Sequence, residues 1–149
     1  MEVKLWLQHI DNKELTRIIT LPMCEVNINL FEYSNGGIQK FDVTKYESDF
    51  NISFYKNEDL KKFNEALNEL KLLATTDEVI ALTELYPLYD IHEILNLVKN
   101  LDYEFLEDKN FDDILEELEL DSNITVEDLI KMGYLQCSTG ILKLTKENF

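Results

Sequence analysis

The stretch Asn57-Glu58-Asp59-Leu60-Lys61-Lys62-Phe63-Asn64-Glu65-Ala66-Leu67-Asn68-Glu69-Leu70 divides the chain in two. Leu60, Phe63, Leu67 and Leu70 recur at helical spacing, and charged residues fill the positions between them. The pattern predicts a helix with one apolar face, opened by the side-chain acceptor of Asn57. Before this stretch the dominant period is two, and after it the period is near 3.6.

Working upstream, Val3 to His9 reads as a strand, Asp11-Asn12-Lys13 as a turn, and Leu15 to Leu21 as a second strand, closed by Pro22. Residues 24–31 are open. Cys24, Val26, Ile28 and Leu30 alternate as in a strand, yet Pro22 can open a helix. Ser34-Asn35-Gly36-Gly37 is a turn, residues 38–43 read as another strand, and an aromatic stretch follows from Tyr46 to Tyr55.

Downstream, Thr75 with Glu78 forms a capping box before Val79, Ile80 and Leu82. Asp90 with Glu93 makes a similar start before Ile94, Leu95 and Val98, with Pro87 between the two helices. Residues 101–106 suit a short strand, and Phe111 to Leu120 an acidic helix. Thr125 with Asp128 opens one more short helix, stopped at Gly133. Tyr134 to Ser138 and Ile141 to Thr145 close the chain as a hairpin turning at Thr139-Gly140. The order is β-rich, then helical, then mixed, which makes the fold class α+β.

Charge is unevenly placed along this frame. The 149 residues hold 14 Lys and Arg against 30 Asp and Glu, a formal charge of −16. Residues 77–128 alone contain 17 acids and only Lys99 and Lys109 as bases. With 45% hydrophobic and 11% aromatic residues, the chain has the material for a core despite that charge. Such acidity repels phosphate, which excludes direct nucleic-acid binding through a basic surface. No apolar run approaches the roughly 20 residues of a membrane span, and Met1-Glu2 opens no signal peptide. Cys24 and Cys137 stand apart, as expected of a reducing, cytoplasmic setting.

Motifs for chemistry are incomplete. His92-Glu93 begins a zinc-protease pattern, but Asn96 occupies the position of the second His, and His9 stands alone on a strand. Asp108, Asn110, Asp112, Glu116 and Glu119 occupy ligand positions of a calcium loop, while Asp113 stands where its sharp turn needs Gly. Four glycines build no phosphate loop, dinucleotide fingerprint or nucleophile elbow. Nothing singles out one acid pair for glycosidase-like chemistry. The expectation is a protein that is not an enzyme and needs no metal or cofactor.

The acids themselves are the remaining feature. Asp112, Asp113, Glu116, Glu117 and Glu119 crowd one short helix, where like charges at i,i+4 cost stability. Asp102, Glu104, Glu107 and Asp108 precede them and Asp121 follows. Phosphates lie roughly 3.4 Å apart along one DNA strand, and acids at i and i+4 rise by about 6 Å along a helix. A helical surface can therefore present charge at a density comparable to DNA and occupy the basic groove of a DNA-binding enzyme.

Tyr46-Glu47-Ser48-Asp49-Phe50, with Ile52, Tyr55 and the helix from Asn57 to Leu70, resembles the ArdA-type antirestriction proteins. Thr20-Leu21-Pro22 resembles that family's strand ending, and Tyr134 to Leu142 its closing hairpin. Lys45 stands where the family carries Asp, and residues 24–31 take the place of its first helix. The resemblance implies three small subdomains in a row, at 1–56, 57–100 and 101–149, in an elongated homodimer that imitates DNA. It implies a type I restriction–modification enzyme as target, in a bacterium receiving a phage or plasmid. By position the imitation falls to Glu78, Glu84, Asp90, Asp102, Glu104, Glu107, Asp108, Asp112, Asp113, Glu116, Glu117, Glu119 and Asp121. The same surface would also suit an inhibitor of a CRISPR effector, or an acidic adaptor for a basic protein; a calcium module is the outsider.

Overall fold

Alternation builds the first sheet. Val3, Leu5 and Leu7 leave one face of β1 (Val3–His9) and are buried, while Lys4 on the opposite face is exposed. β1 is the centre of an antiparallel sheet between β2 (Thr16–Leu21) and β3 (Phe41–Ser48). Nδ1 of His9 accepts the backbone N–H groups of Asp11 and Asn12 at 3.1 and 3.3 Å, fastening the β1–β2 turn. That turn-closing bond explains a lone histidine at a strand end. The computed structural model describes residues 1–54, 58–118 and 123–145, so the readings placed on Tyr55, Asn57, Glu119 and Asp121 lie outside it.

One expectation in this half needs correction, and one open reading is decided. The strand expected at 38–43 begins at Phe41, because Gly36 and Gly37 take φ of 75° and 87° and Ile38–Lys40 then form a 3-10 turn with Ile38 buried. The open stretch 24–31 is helical and belongs to α1 (Glu25–Asn35). Only Ile28 and Phe31 of that stretch are buried, at i,i+3 spacing, whereas Val26 and Leu30 face outward. The alternation of apolar residues there had no sheet face to serve.

The stripe of α2 (Leu60–Leu73) is where the pattern placed it, with Leu60, Phe63, Leu67 and Leu70 buried. Asp59 is the N-cap, its carboxylate accepting the N–H of Lys62 at 3.1 Å. Asn64 shares the buried stripe, and its amide grips the backbone of Met23 at both ends, N–H to Oδ1 at 2.8 Å and Nδ2 to C=O at 2.9 Å. Asn64→Ala strands both backbone groups, an expected cost of about 2 kcal/mol, or roughly 6 °C in a thermal melt. Asn68→Ala, an exposed site on the same helix, is the matching control and should leave the melt unchanged.

Two further helices, α3 (Thr76–Leu85) and α4 (Ile91–Asn100), complete the middle of the chain. Thr75 accepts the N–H of Glu78 at 3.2 Å, but the Glu78 side chain turns away and the expected capping box is half made. Asp90 caps α4 by accepting the N–H groups of His92 and Glu93 at 2.8 and 3.2 Å.

The second sheet consists of β4 (Tyr103–Glu107), β5 (Tyr134–Cys137) and β6 (Gly140–Leu144), antiparallel in the order β4-β6-β5. Its two faces are covered by different helices. Ala81 and Leu82 of α3 pack on Cys137 and Leu142 from one side. From the other, Ile114 of α5 (Phe111–Glu117) and Leu129 of α6 (Val126–Lys131) pack on Tyr134 and Ile141. The architecture is α+β, β-rich at its start and mixed at its end. The largest apolar cluster joins the first sheet and α1 to α2 and α4. Among the described residues no helix is long and apolar enough to cross a membrane.

Candidate functional site: an acidic surface around β4 and α5

Asp108 turns the chain from β4 toward α5 at φ 56°, a left-handed conformation that Asp tolerates better than most residues. Asn110 and Asp113 then make a reciprocal capping box, with bonds of 2.9 and 3.0 Å. The acids in the first turn, Asp112 and Asp113, sit where the helix N-terminus favours negative charge. This helix runs through the positions at which a calcium loop would have to curl. Among the described residues no group of three or more His, Cys, Asp or Glu could hold a metal ion.

Burial sorts the acids of α5. Ile114 is buried against the sheet, with Phe111 and Leu115 beside it, which leaves Asp112, Glu116 and Glu117 exposed. Lys109 lies 3.1 Å from Glu117 and offsets part of that charge. Glu104 projects from β4 opposite Lys143, whose ammonium instead lies 5.0 Å over the Tyr134 ring. Asp102 is exposed just before β4. In α6 the Thr125–Asp128 box is complete, and bonds from the Thr125 backbone and hydroxyl hold the Asp128 carboxyl below its ordinary range. Glu107, at the end of β4, shares a hydrogen bond with Asp77, and this bond pushes its carboxyl above the ordinary range.

Besides Asp113, three more of the expected acids hold the fold through donors without charge. Asp90 is the cap of α4. Glu78 accepts the hydroxyl of Tyr103, and burial together with that carboxylate pushes the tyrosine well above its usual range. Glu84 accepts both the N–H of Ser138, at 3.0 Å, and its hydroxyl. Donors without charge occupy these carboxylates, so the negative charge is not cancelled.

Comparison with family models, curated proteins and solved structures finds no match. The site is therefore defined by its own geometry. Glu104, Asp108, Asp112, Glu116 and Glu117 are exposed on β4, α5 and the loop joining them, with Asp102 and Glu107 at the ends of β4. Glu78 and Glu84 lie across the α3 face of the sheet, and Asp90 belongs to α4. Sequence reasoning passed over Asp77, the partner of Glu107, and over Tyr103, Ser138 and Thr139. Hydroxyls in a strand and a turn carry no signal until the fold brings α3 against them. A cleft of about 550 Å³ lies elsewhere, between the start of α1 and α2, lined by Cys24, Lys61, Asn64 and Lys71. None of the expected acids lines it.

Proposed function

We propose that this chain is a DNA-mimic inhibitor, an antirestriction protein that occupies the DNA-binding groove of a type I restriction–modification enzyme. The observation that carries the reading is how the acids are partnered. Across residues 77–128 the fold satisfies carboxylates with hydroxyl and backbone N–H donors at Glu78, Glu84, Asp90, Asp113 and Asp128. Among the described residues Glu104, Asp112, Glu116 and Glu127 make no ion pair. A fold selected for stability alone would place Lys or Arg among so many acids, because unpaired like charges on one short helix are destabilising. Leaving them charged suits a partner that supplies the cations.

The likeness of Tyr46 to Phe50 and of the closing hairpin to ArdA-type proteins supports the same target class. No catalytic centre is required, since displacing DNA is a binding event driven by charge and counterion exchange. The test is competition for DNA binding by a purified type I methyltransferase. Added protein should displace a labelled duplex, with potency falling steeply as salt is raised. DNA binding left untouched by a large excess would overturn the reading.

A further inference from the structure

The face between α3 and the second sheet is closed by polar bonds at both ends of the helix. In the first turn, Tyr103 of β4 donates its hydroxyl to Glu78, and Thr139 donates its hydroxyl to the carbonyl of Asp77 at 2.6 Å. In the last turn, Ser138 donates its N–H to Glu84 at 3.0 Å, and its hydroxyl to the same carboxylate. Between them lies an apolar strip of Ala81 and Leu82 against Cys137 and Leu142. The Cys137 thiol is buried there, 3.6 Å from the carbonyl of Ala81.

We infer that Glu78 and Glu84 are positioning residues, the two ends of a latch that fixes α3 on the β4-β6-β5 sheet. Each uses its carboxylate on a hydroxyl of the sheet or of its β5–β6 turn. The two residues are separated by about 9 Å along the helix, since 78 and 84 are six positions apart at 1.5 Å rise. Two anchors at that separation stop α3 from pivoting on the small Ala81 contact. The latch thereby holds the spacing between the helical part of the chain and the carboxylates of β4 and α5. This role differs from contact with a target, and its link to inhibition rests on the function proposed above.

Burial and the nearby Glu84 carboxylate push the Cys137 thiol up to about 11, so it reacts slowly until the seam opens. Cys24 is exposed, and Cys24→Ser removes its background. In that background, Tyr103→Phe with Ser138→Ala deletes two hydroxyl donors and leaves the charge of the chain unchanged. Each net hydrogen bond changes an opening equilibrium by roughly 2- to 10-fold. The double variant should therefore label Cys137 with a disulfide reagent roughly 10-fold faster or more. Glu78→Gln keeps an acceptor for Tyr103 while removing a charge, and should label within about 2-fold of the parent. Fluorescence of Trp6, the single tryptophan, checks that the first sheet remains folded. Labelling of the double variant at the parent rate overturns the latch, as does equal acceleration by Glu78→Gln. The same double variant should also lose potency in the DNA-competition assay. Faster labelling with parental potency would overturn the link to inhibition. A parent protein that does not compete at all would count against the proposed function, while the labelling rates still decide the latch.

Discussion

Gly140→Ala is expected to destabilise the protein by about 3 kcal/mol and to lower its melting temperature by roughly 9 °C. Gly140 opens β6, the central strand of the second sheet, and pairs with Glu107 on one side and Cys137 on the other. A Cβ there would lie 2.3 Å from the carbonyl oxygen of Leu106, 3.1 Å from the Phe105 ring and 3.2 Å from the Asp108 backbone nitrogen. Two of those atoms are backbone, so no side-chain rotation relieves the overlap. β4 and β6 have to separate at this end, where the β4–α5 turn also bonds the Asp108 N–H to the Thr139 carbonyl at 3.0 Å. The variant should consequently expose Cys137 as well as melt earlier. A melting temperature within about 2 °C of wild type would mean that the strand end has slack the structure does not display.

The turn containing Gly140 illustrates which parts of the fold the sequence makes legible. Local rules succeeded where one residue type has one physical use. Thr125 with Asp128, Asp90 with Glu93 as a helix start, and the alternation of Val3, Leu5 and Leu7 all lead directly to the observed elements. They failed where two periods fit the same residues. α1 carries apolar side chains on both faces, with Val26, Leu30 and Tyr33 exposed, so across residues 24–31 neither a strand nor a helix pattern is clean. Only the Ile28 and Phe31 contacts with the core settle it. The strand start at Phe41 was missed for a related reason. Two successive left-handed glycines need several residues to redirect the chain, and the 3-10 turn at Ile38–Lys40 absorbs them.

For the site, composition located the region and could not sort its members. Thirty acids look alike in a sequence. Their roles separate only when the partners are known: Asp113 closes a capping box, Glu117 meets Lys109, Glu84 is engaged through both oxygens, and Asp112 and Glu116 are exposed. Reversing Asp112, Asp113, Glu116 and Glu117 together, the natural first experiment from sequence, would therefore mix two effects. Two of those four contribute to the fold of α5, and their loss would cost stability as well as charge.

A cleaner set is Glu104→Gln, Asp108→Asn, Asp112→Asn and Glu116→Gln. Among the described residues none of these four side chains makes a hydrogen bond or an ion pair. Neutralising them takes four negative charges from −16 and leaves −12. Asn at 108 suits the left-handed φ of 56° as well as Asp does. Removing the like-charge pair 112/116 from α5 relieves repulsion and offsets the loss of the first-turn carboxylate of Asp112, so the melting temperature should hold within about 2 °C. Potency in the DNA-competition assay should behave differently. Each exposed charge pair with a basic groove is worth roughly a 2- to 5-fold change, so single variants should lose about 3-fold and the quadruple variant on the order of 100-fold. Because the contribution is electrostatic, the gap between wild type and the quadruple variant should shrink as salt rises and the Debye length falls below about 10 Å. A loss that stays constant from low to high salt would indicate a local packing contact instead. Wild-type potency in the quadruple variant would remove this surface from the inhibitory mechanism, whatever the protein's target.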